Sequence, residues 1–241
     1  MNLSETAWPD VKQLIEKDID IKAVLVLGSL EQHGHHLPLG TDTMLGYEVW
    51  KRVEKLREDV LLLPPVTFGC SEVWRSYPGT ICVRPSTLMC LIEDIASSLE
   101  RHGVRTLLIQ IAHGGNAVVA ASAAKEYCLK SSGLRIFMFE PFNGVPTGIC
   151  EGRNAGHACE VETSMGLVVF PNLVHMDKAK TGSIQAWITP RDLAADEYCV
   201  NSLGVSGEPE HASKEKGETI IESMCLWRCN WLDGLPKRLS K

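Results

Sequence analysis

The segment Glu31-Gln32-His33-Gly34-His35-His36-Leu37-Pro38-Leu39-Gly40-Thr41-Asp42 places two carboxylates and three imidazoles directly after the apolar run 21–27. Carboxylate oxygens mixed with imidazole nitrogens suit divalent zinc, manganese or ferrous iron and differ from the thiolate-rich set of a structural zinc site. In an extended segment Glu31 and His33 project to the same side, so both can reach one cation or two neighbouring ones. Asp42 returns after a Gly/Pro-containing loop. It also stands where a helix opens, so a capping role for Asp42 or Thr41 competes with a metal role.

A second group, Ile109-Gln110-Ile111-Ala112-His113-Gly114-Gly115-Asn116, puts a histidine at the end of a strand. Two glycines then let the backbone turn closely, and Asn116 is placed to cap a helix. A half-buried histidine without a ligand role is the competing reading of His113. The third group, Asn154-Ala155-Gly156-His157-Ala158-Cys159-Glu160-Val161-Glu162-Thr163-Ser164, opens a short apolar helix. With His157 in the first turn, Glu160 shares its face at i, i+3. Glu160 and Glu162 both compete as capping carboxylates.

These groups need a scaffold that brings strand ends together. Apolar runs at 21–27, 60–63, 106–111 and 135–139 read as strands. Amphipathic windows at 43–56, 86–101 (Ser86 as N-cap), 116–129, 161–169 and 214–231 read as helices. The alternation predicts an α/β fold, three-layer α/β/α, with a mainly parallel sheet covered on both faces. Ligands of such sheets bind outside the carboxyl ends of the strands, where the first two groups fall. Long loops remain at 64–80, 140–156 and 171–212.

With 241 residues, 44% hydrophobic and 22% charged, the chain reads as one globular domain, 1–241. A net charge of −6 without basic clusters gives no footprint for nucleic acid or an anionic membrane. The first residues lack a signal sequence and no long apolar stretch occurs, so the expected location is cytoplasmic. The nine cysteines are odd in number and widely spaced, and are expected to be reduced. Cys225 and Cys229, at helical spacing, lack further ligands nearby and read as a half-buried helix face. Trp187, Trp227 and Trp231 are equally suited to subunit contacts and to an intramolecular core.

Four motifs in order, Glu31-Gln32-His33-Gly34 through Asp42, Tyr77-Pro78-Gly79-Thr80, His113-Gly114-Gly115-Asn116, and His157-Ala158-x-Glu160-x-Glu162-Thr163-Ser164, resemble the creatininase (creatinine amidohydrolase) family. The resemblance implies a hydrolase with two divalent metal ions per subunit (Zn, Mn or Fe), assembled as a homohexamer. It implies that Glu31 and His113 bind one metal, His33 the other, and that Asp42 bridges them. His157 matches a histidine that shuttles a proton to the substrate, and Ser71 falls near a substrate-contacting serine. Family members that open creatinine carry an acidic ligand two residues after the histidine matching His113, where this chain has Gly115. They also place a tryptophan over the substrate from a loop, and 131–156 contains none. Both departures point away from creatinine. Glu160 is the expected replacement for the missing ligand, and Arg75 is a candidate for reading an anionic group on the substrate.

A water held between two such cations becomes acidic enough to attack a polarised carbonyl, and cleaving an amide also requires a proton for the leaving nitrogen. His157, titrating near neutrality, suits that duty. The expected function is therefore a metal-dependent amidohydrolase acting on a non-peptide C–N bond, a cyclic amide or formamide, in a small polar metabolite. Within the family the alternatives are a formylaminopyrimidine-nucleotide deformylase, an enzyme trimming a peptide-derived redox cofactor, and a keto-inositol hydrolase. Outside it stands a non-catalytic metal-binding assembly protein.

Overall fold

The computed structural model describes residues 1–17, 20–152, 156–182 and 203–236. Four strands, β1 (Lys22–Leu27), β2 (Val60–Leu62), β3 (Thr106–Ile111) and β4 (Arg135–Phe139), form one parallel sheet in the order β2-β1-β3-β4. Their apolar runs are continuous because both faces are covered. Alternation along β1 sends Val24 and Val26 into one core and Ala23, Leu25 and Leu27 into the other. The first core is completed by α2 (Thr41–Leu56), α5 (Glu160–Val169) and α6 (Lys214–Asp233), and the second by α3 (Pro85–Arg101) and α4 (Ala117–Lys130). This is the expected three-layer α/β/α arrangement.

The chain leaves β1 towards β2 on one side and returns to β3 on the other, so the strand order reverses between β1 and β3. That switch point opens a crevice at the carboxyl edge. Register aligns Leu27 with Ile111 there, which brings the segment after β1 beside His113.

Several boundaries differ from the sequence reading. Helix α1 (Trp8–Glu16) was not expected, because its only buried residue is Leu14. Helix α3 starts at Pro85, so Ser86 lies inside its first turn and Arg84 takes the cap position. Asn116 makes no cap hydrogen bond. Trp227 and Trp231 pack edge-on against Phe139, with Trp231 also against Phe137, so both contribute to the core of the chain. Trp187 lies outside the described residues. The eight described cysteines are unpaired. Among the described residues no helix is long and apolar enough to cross a membrane.

Leu108 is fully buried in the α2/α5/α6 core from a central strand. Leu108→Ala should cost about 2–5 kcal/mol, as truncations that leave a cavity do. Urea unfolding should show a lower midpoint with an unchanged slope.

Candidate metal centre

Glu31 and His33 follow β1, Asp42 lies in the first turn of α2, His113 follows β3, and Glu162 lies in the first turn of α5. All five are buried. Their ligand atoms form overlapping triads, each with all atoms within 4.8 Å of one another: Glu31, Asp42 and His113; His33, Asp42 and Glu162; and Glu31, His33 and His157. Asp42 belongs to the first two. Its Oδ2 is 3.3 Å from His113 Nδ1 and its Oδ1 is 3.1 Å from His33 Nε2. Ser29 Oγ donates to Oδ2 at 2.7 Å and steadies the carboxylate.

The neighbours of each imidazole decide which nitrogen faces the cluster. His113 Nε2 donates to the Cys70 carbonyl at 2.9 Å, leaving Nδ1 towards Glu31 Oε1 at 3.1 Å. His33 Nδ1 donates to the Glu31 carbonyl at 3.2 Å, leaving Nε2 towards Asp42. Carbonyl groups that fix the far nitrogen in this way orient metal-ligating histidines. Asn116, rather than capping α4, braces these loops. Its Oδ1 accepts from Cys70 N at 2.9 Å and its Nδ2 donates to the Gly28 carbonyl at 2.9 Å.

The donor set fits a cation on one observation in particular. Apart from His113 Nδ1 beside Oε1, neither oxygen of fully buried Glu31 has a hydrogen-bond partner among the described residues. A carboxylate so stripped of water needs compensating charge. Before a cation binds, protons supply it. Burial lowers the pKa of His33, but Asp42, Glu162 and Glu31 outweigh that and push it up to about 9. His113 is likewise raised well above its ordinary value, burial being overcome by Glu31 and Asp42. Asp42, despite burial, is held low by His33 and His113.

Glu160 is not part of the cluster. The chain turns back at Ala158, whose φ of 51° lies in the left-handed region, and α5 begins only at Glu160. His157 therefore precedes the helix and does not share a face with Glu160. The Glu160 carboxylate accepts from Lys216 Nζ at 2.6 Å and from the Gly152 and Glu151 amides at 2.8 and 3.2 Å. Glu162 instead takes the place in the cluster expected of Glu160: Oε1 is 4.0 Å from His33 Nε2, while Oε2 also accepts from Cys159 N at 3.2 Å. Burial pushes the Glu162 pKa up to about 7. Gly115 could not carry a side chain here without rearrangement, because an added Cβ would fall 2.3 Å from the Cys70 carbonyl oxygen.

His157 is buried with Nε2 turned to Gln32, 2.8 Å from its carbonyl oxygen and 2.9 Å from its side-chain nitrogen. Nδ1 faces Glu31 Oε1 at 3.7 Å. Its pKa is lowered well below the ordinary value, first by burial and then by the charge of His33. Trp74, buried, stacks on the imidazole with centroids 4.4 Å apart and planes at 20°. The sequence reading singled out Arg75 and passed over Trp74, and nothing in the spacing distinguishes a stacking ring from a core one. Ser71 is buried with Oγ 3.4 Å from His113 Nε2, whereas Arg75 is exposed.

A family model described as Creatininase, creatinine amidohydrolase, matches residues 4–230, and the chain belongs to the creatininase family. The mycofactocin precursor peptide peptidase of Mycolicibacterium smegmatis is 31% identical over 214 residues, covering 85% of this chain and 81% of that protein. The creatinine amidohydrolase of Pseudomonas putida is 28% identical over 242 residues, covering 91% of each. A solved creatininase in its Mn form superposes with a TM-score of 0.86 at 25% identity over 96% of both chains. A Zn-Zn type creatininase mutant gives a TM-score of 0.83 at the same identity and coverage.

Two outcomes follow from this geometry. Glu162→Gln should weaken metal binding at least about tenfold, the scale on which even outer-shell changes act, while Glu160→Gln should leave metal content unchanged in elemental analysis. Metal uptake near pH 7 should also expel protons, because His33 and His113 are protonated beforehand, and affinity should rise with pH up to about 9, where His33 loses its proton. Calorimetry in buffers of differing ionisation enthalpy reads this directly. A heat independent of buffer would refute it.

Proposed function

We propose that this chain is a cytoplasmic, dinuclear metal-dependent amidohydrolase that cleaves a non-peptide C–N bond, in a cyclic amide or formamide, of a small polar metabolite. The observation that carries the reading is the pair of triads sharing Asp42, which offers two adjacent cation positions, with a buried histidine beside them. Glu31, Asp42 and His113 would hold one ion and His33, Asp42 and Glu162 the other. Zinc, manganese or iron suits this donor set, and Mn and Zn-Zn forms of creatininase are the structural neighbours. Divalent ions there supply Lewis acidity and a water acidic enough to act near neutral pH.

The chain's own residues do the rest. His157, kept neutral by burial, accepts a proton at Nδ1 and returns it to the departing nitrogen. Trp74 holds the ring in place and keeps bulk water from that side. Ser71, against His113, contacts the substrate, and Arg75 at the exposed rim reads an anionic group on it. Gly115 in place of a carboxylate, and the shift of that ligand to Glu162, argue for a substrate other than creatinine. The subunits assemble as a homo-oligomer, a hexamer by analogy with the family. A second reading, favoured by the 31% identical mycobacterial relative, is hydrolysis within a peptide-derived substrate.

The test is a screen of formamides, lactams, cyclic ureas and short peptides with protein reloaded with manganese or zinc after chelation. His157→Ala should lower turnover by about 10²–10⁴-fold, the usual contribution of a positioned acid–base group, with metal content intact. Loss of metal in that variant would make His157 a ligand, and failure of every substrate class with both metals would remove the enzyme reading.

A further inference from the structure

A buried cation lies beside the cluster and none of the chemistry above uses it. Arg228, on α6, is 1% exposed. Its terminal nitrogens donate to the Met224 carbonyl at 3.0 Å, the Asn143 carbonyl at 3.1 Å and Gln110 Oε1 at 2.6 Å. Nε has no hydrogen-bond partner among the described residues. The aromatic neighbours are Trp50 and Phe139, whose ring centroids lie 5.4 and 5.9 Å away. Every one of these partners is neutral. Buried guanidinium groups are ordinarily matched by an acid, because an isolated charge away from water is costly. Burial pushes the Arg228 pKa down to about 10, with only Cys225 opposing the shift.

Arg228 and Gln110 border a cavity whose apolar walls include Leu45, Phe142 and Met165 and which also reaches Asp42 and Glu162. The cavity is small, with about 30 Å³ open to water-sized molecules, and it is partly open to solvent. An apolar hollow with a few convergent polar groups is the usual form of a small-molecule site. With Asp42 and Glu162 committed to cations, the charge left unmatched at the cavity is the positive one of Arg228. Of five guanidinium N–H groups, three are engaged by the neutral acceptors. The Nε–H and one terminal N–H remain, a two-donor edge matching the two oxygens of a carboxylate.

We propose that Arg228 forms a carboxylate-binding subsite beside the metal cluster, taking either a carboxylate carried by the substrate or the acid released from the cleaved amide. Choosing a carboxylate as the ligand rests on the amide-hydrolysis reading. An anion site at Arg228 does not.

Sodium formate is the probe, titrated into manganese-loaded protein to about 100 mM at constant ionic strength, a range that captures millimolar binding. Tryptophan fluorescence, sensitive through Trp50, and the thermal midpoint are followed. A saturable change is expected in the wild type, weakened at least about tenfold in Arg228→Met by loss of a charge-assisted pair, with manganese content unchanged. Met165→Phe narrows the cavity while sparing every bond of Arg228. It should weaken formate binding similarly, and it serves if Arg228→Met does not fold. Formate binding equally to the wild type and the folded variants would mean that formate sits on the metal, and would overturn the proposal, as would absence of saturable binding. Competition between formate and a cleaved amide assigns the subsite to a carboxylate of the substrate, and binding alongside it assigns it to the product. Arg228-dependent formate binding in a protein that cleaves no amide keeps the anion site and removes the proposed reaction.

Discussion

Three carboxylates, Glu31, Asp42 and Glu162, are held together out of water at one edge of a sheet, and much of the structure around them answers to that concentration of negative charge. In the low-dielectric interior such a group persists only with positive charge among it. His33 and His113 can provide it as protonated imidazoles, and a divalent ion provides it more completely. The same electrostatic demand therefore sets the protonation of the free site and its affinity for metal. Glu31, with only imidazole nitrogens beside its oxygens, expresses this most clearly.

The fold meets the demand by topology and by backbone carbonyls. The reversal of strand order between β1 and β3 brings two loop segments face to face, and Leu27 opposite Ile111 sets their depth. Carbonyls of Glu31 and Cys70 each take one imidazole N–H, and Gln32 holds Nε2 of His157, so that the other nitrogen of His33, His113 and His157 turns inward. Asn116 ties the Cys70 amide to the end of β1 and makes these loops one unit. The precision of the site is thus carried in large part by main-chain groups, with the Asn116 side chain as their brace.

The parts of this design that are local in sequence were legible. Continuous apolar runs bounded by turns identify β3, buried on both faces, and the half-buried edge strand β4 to the residue. Glu31, His33, Asp42 and His113 stand out because metal-type donors cluster at strand ends. The third carboxylate was not legible: the choice between Glu160 and Glu162 turns on one backbone reversal at Ala158 and on Lys216, more than fifty residues away, claiming the nearer acid. Arg228 was invisible for a related reason. A charged residue in an amphipathic helix reads as solvent-facing, and only the packing of α6 against β3 and α2 reveals that it is enclosed.

Glu162 serves two masters with its two oxygens, one on the Cys159 amide at the start of α5 and one turned to His33. Filling or emptying the cluster therefore pulls on the same rigid group that holds the helix's opening turn, directly after His157 and the strained Ala158. Metal occupancy and backbone order at this corner are thermodynamically linked. In the proposed reaction this lever, only a few bonds long, would carry the state of the cluster to His157.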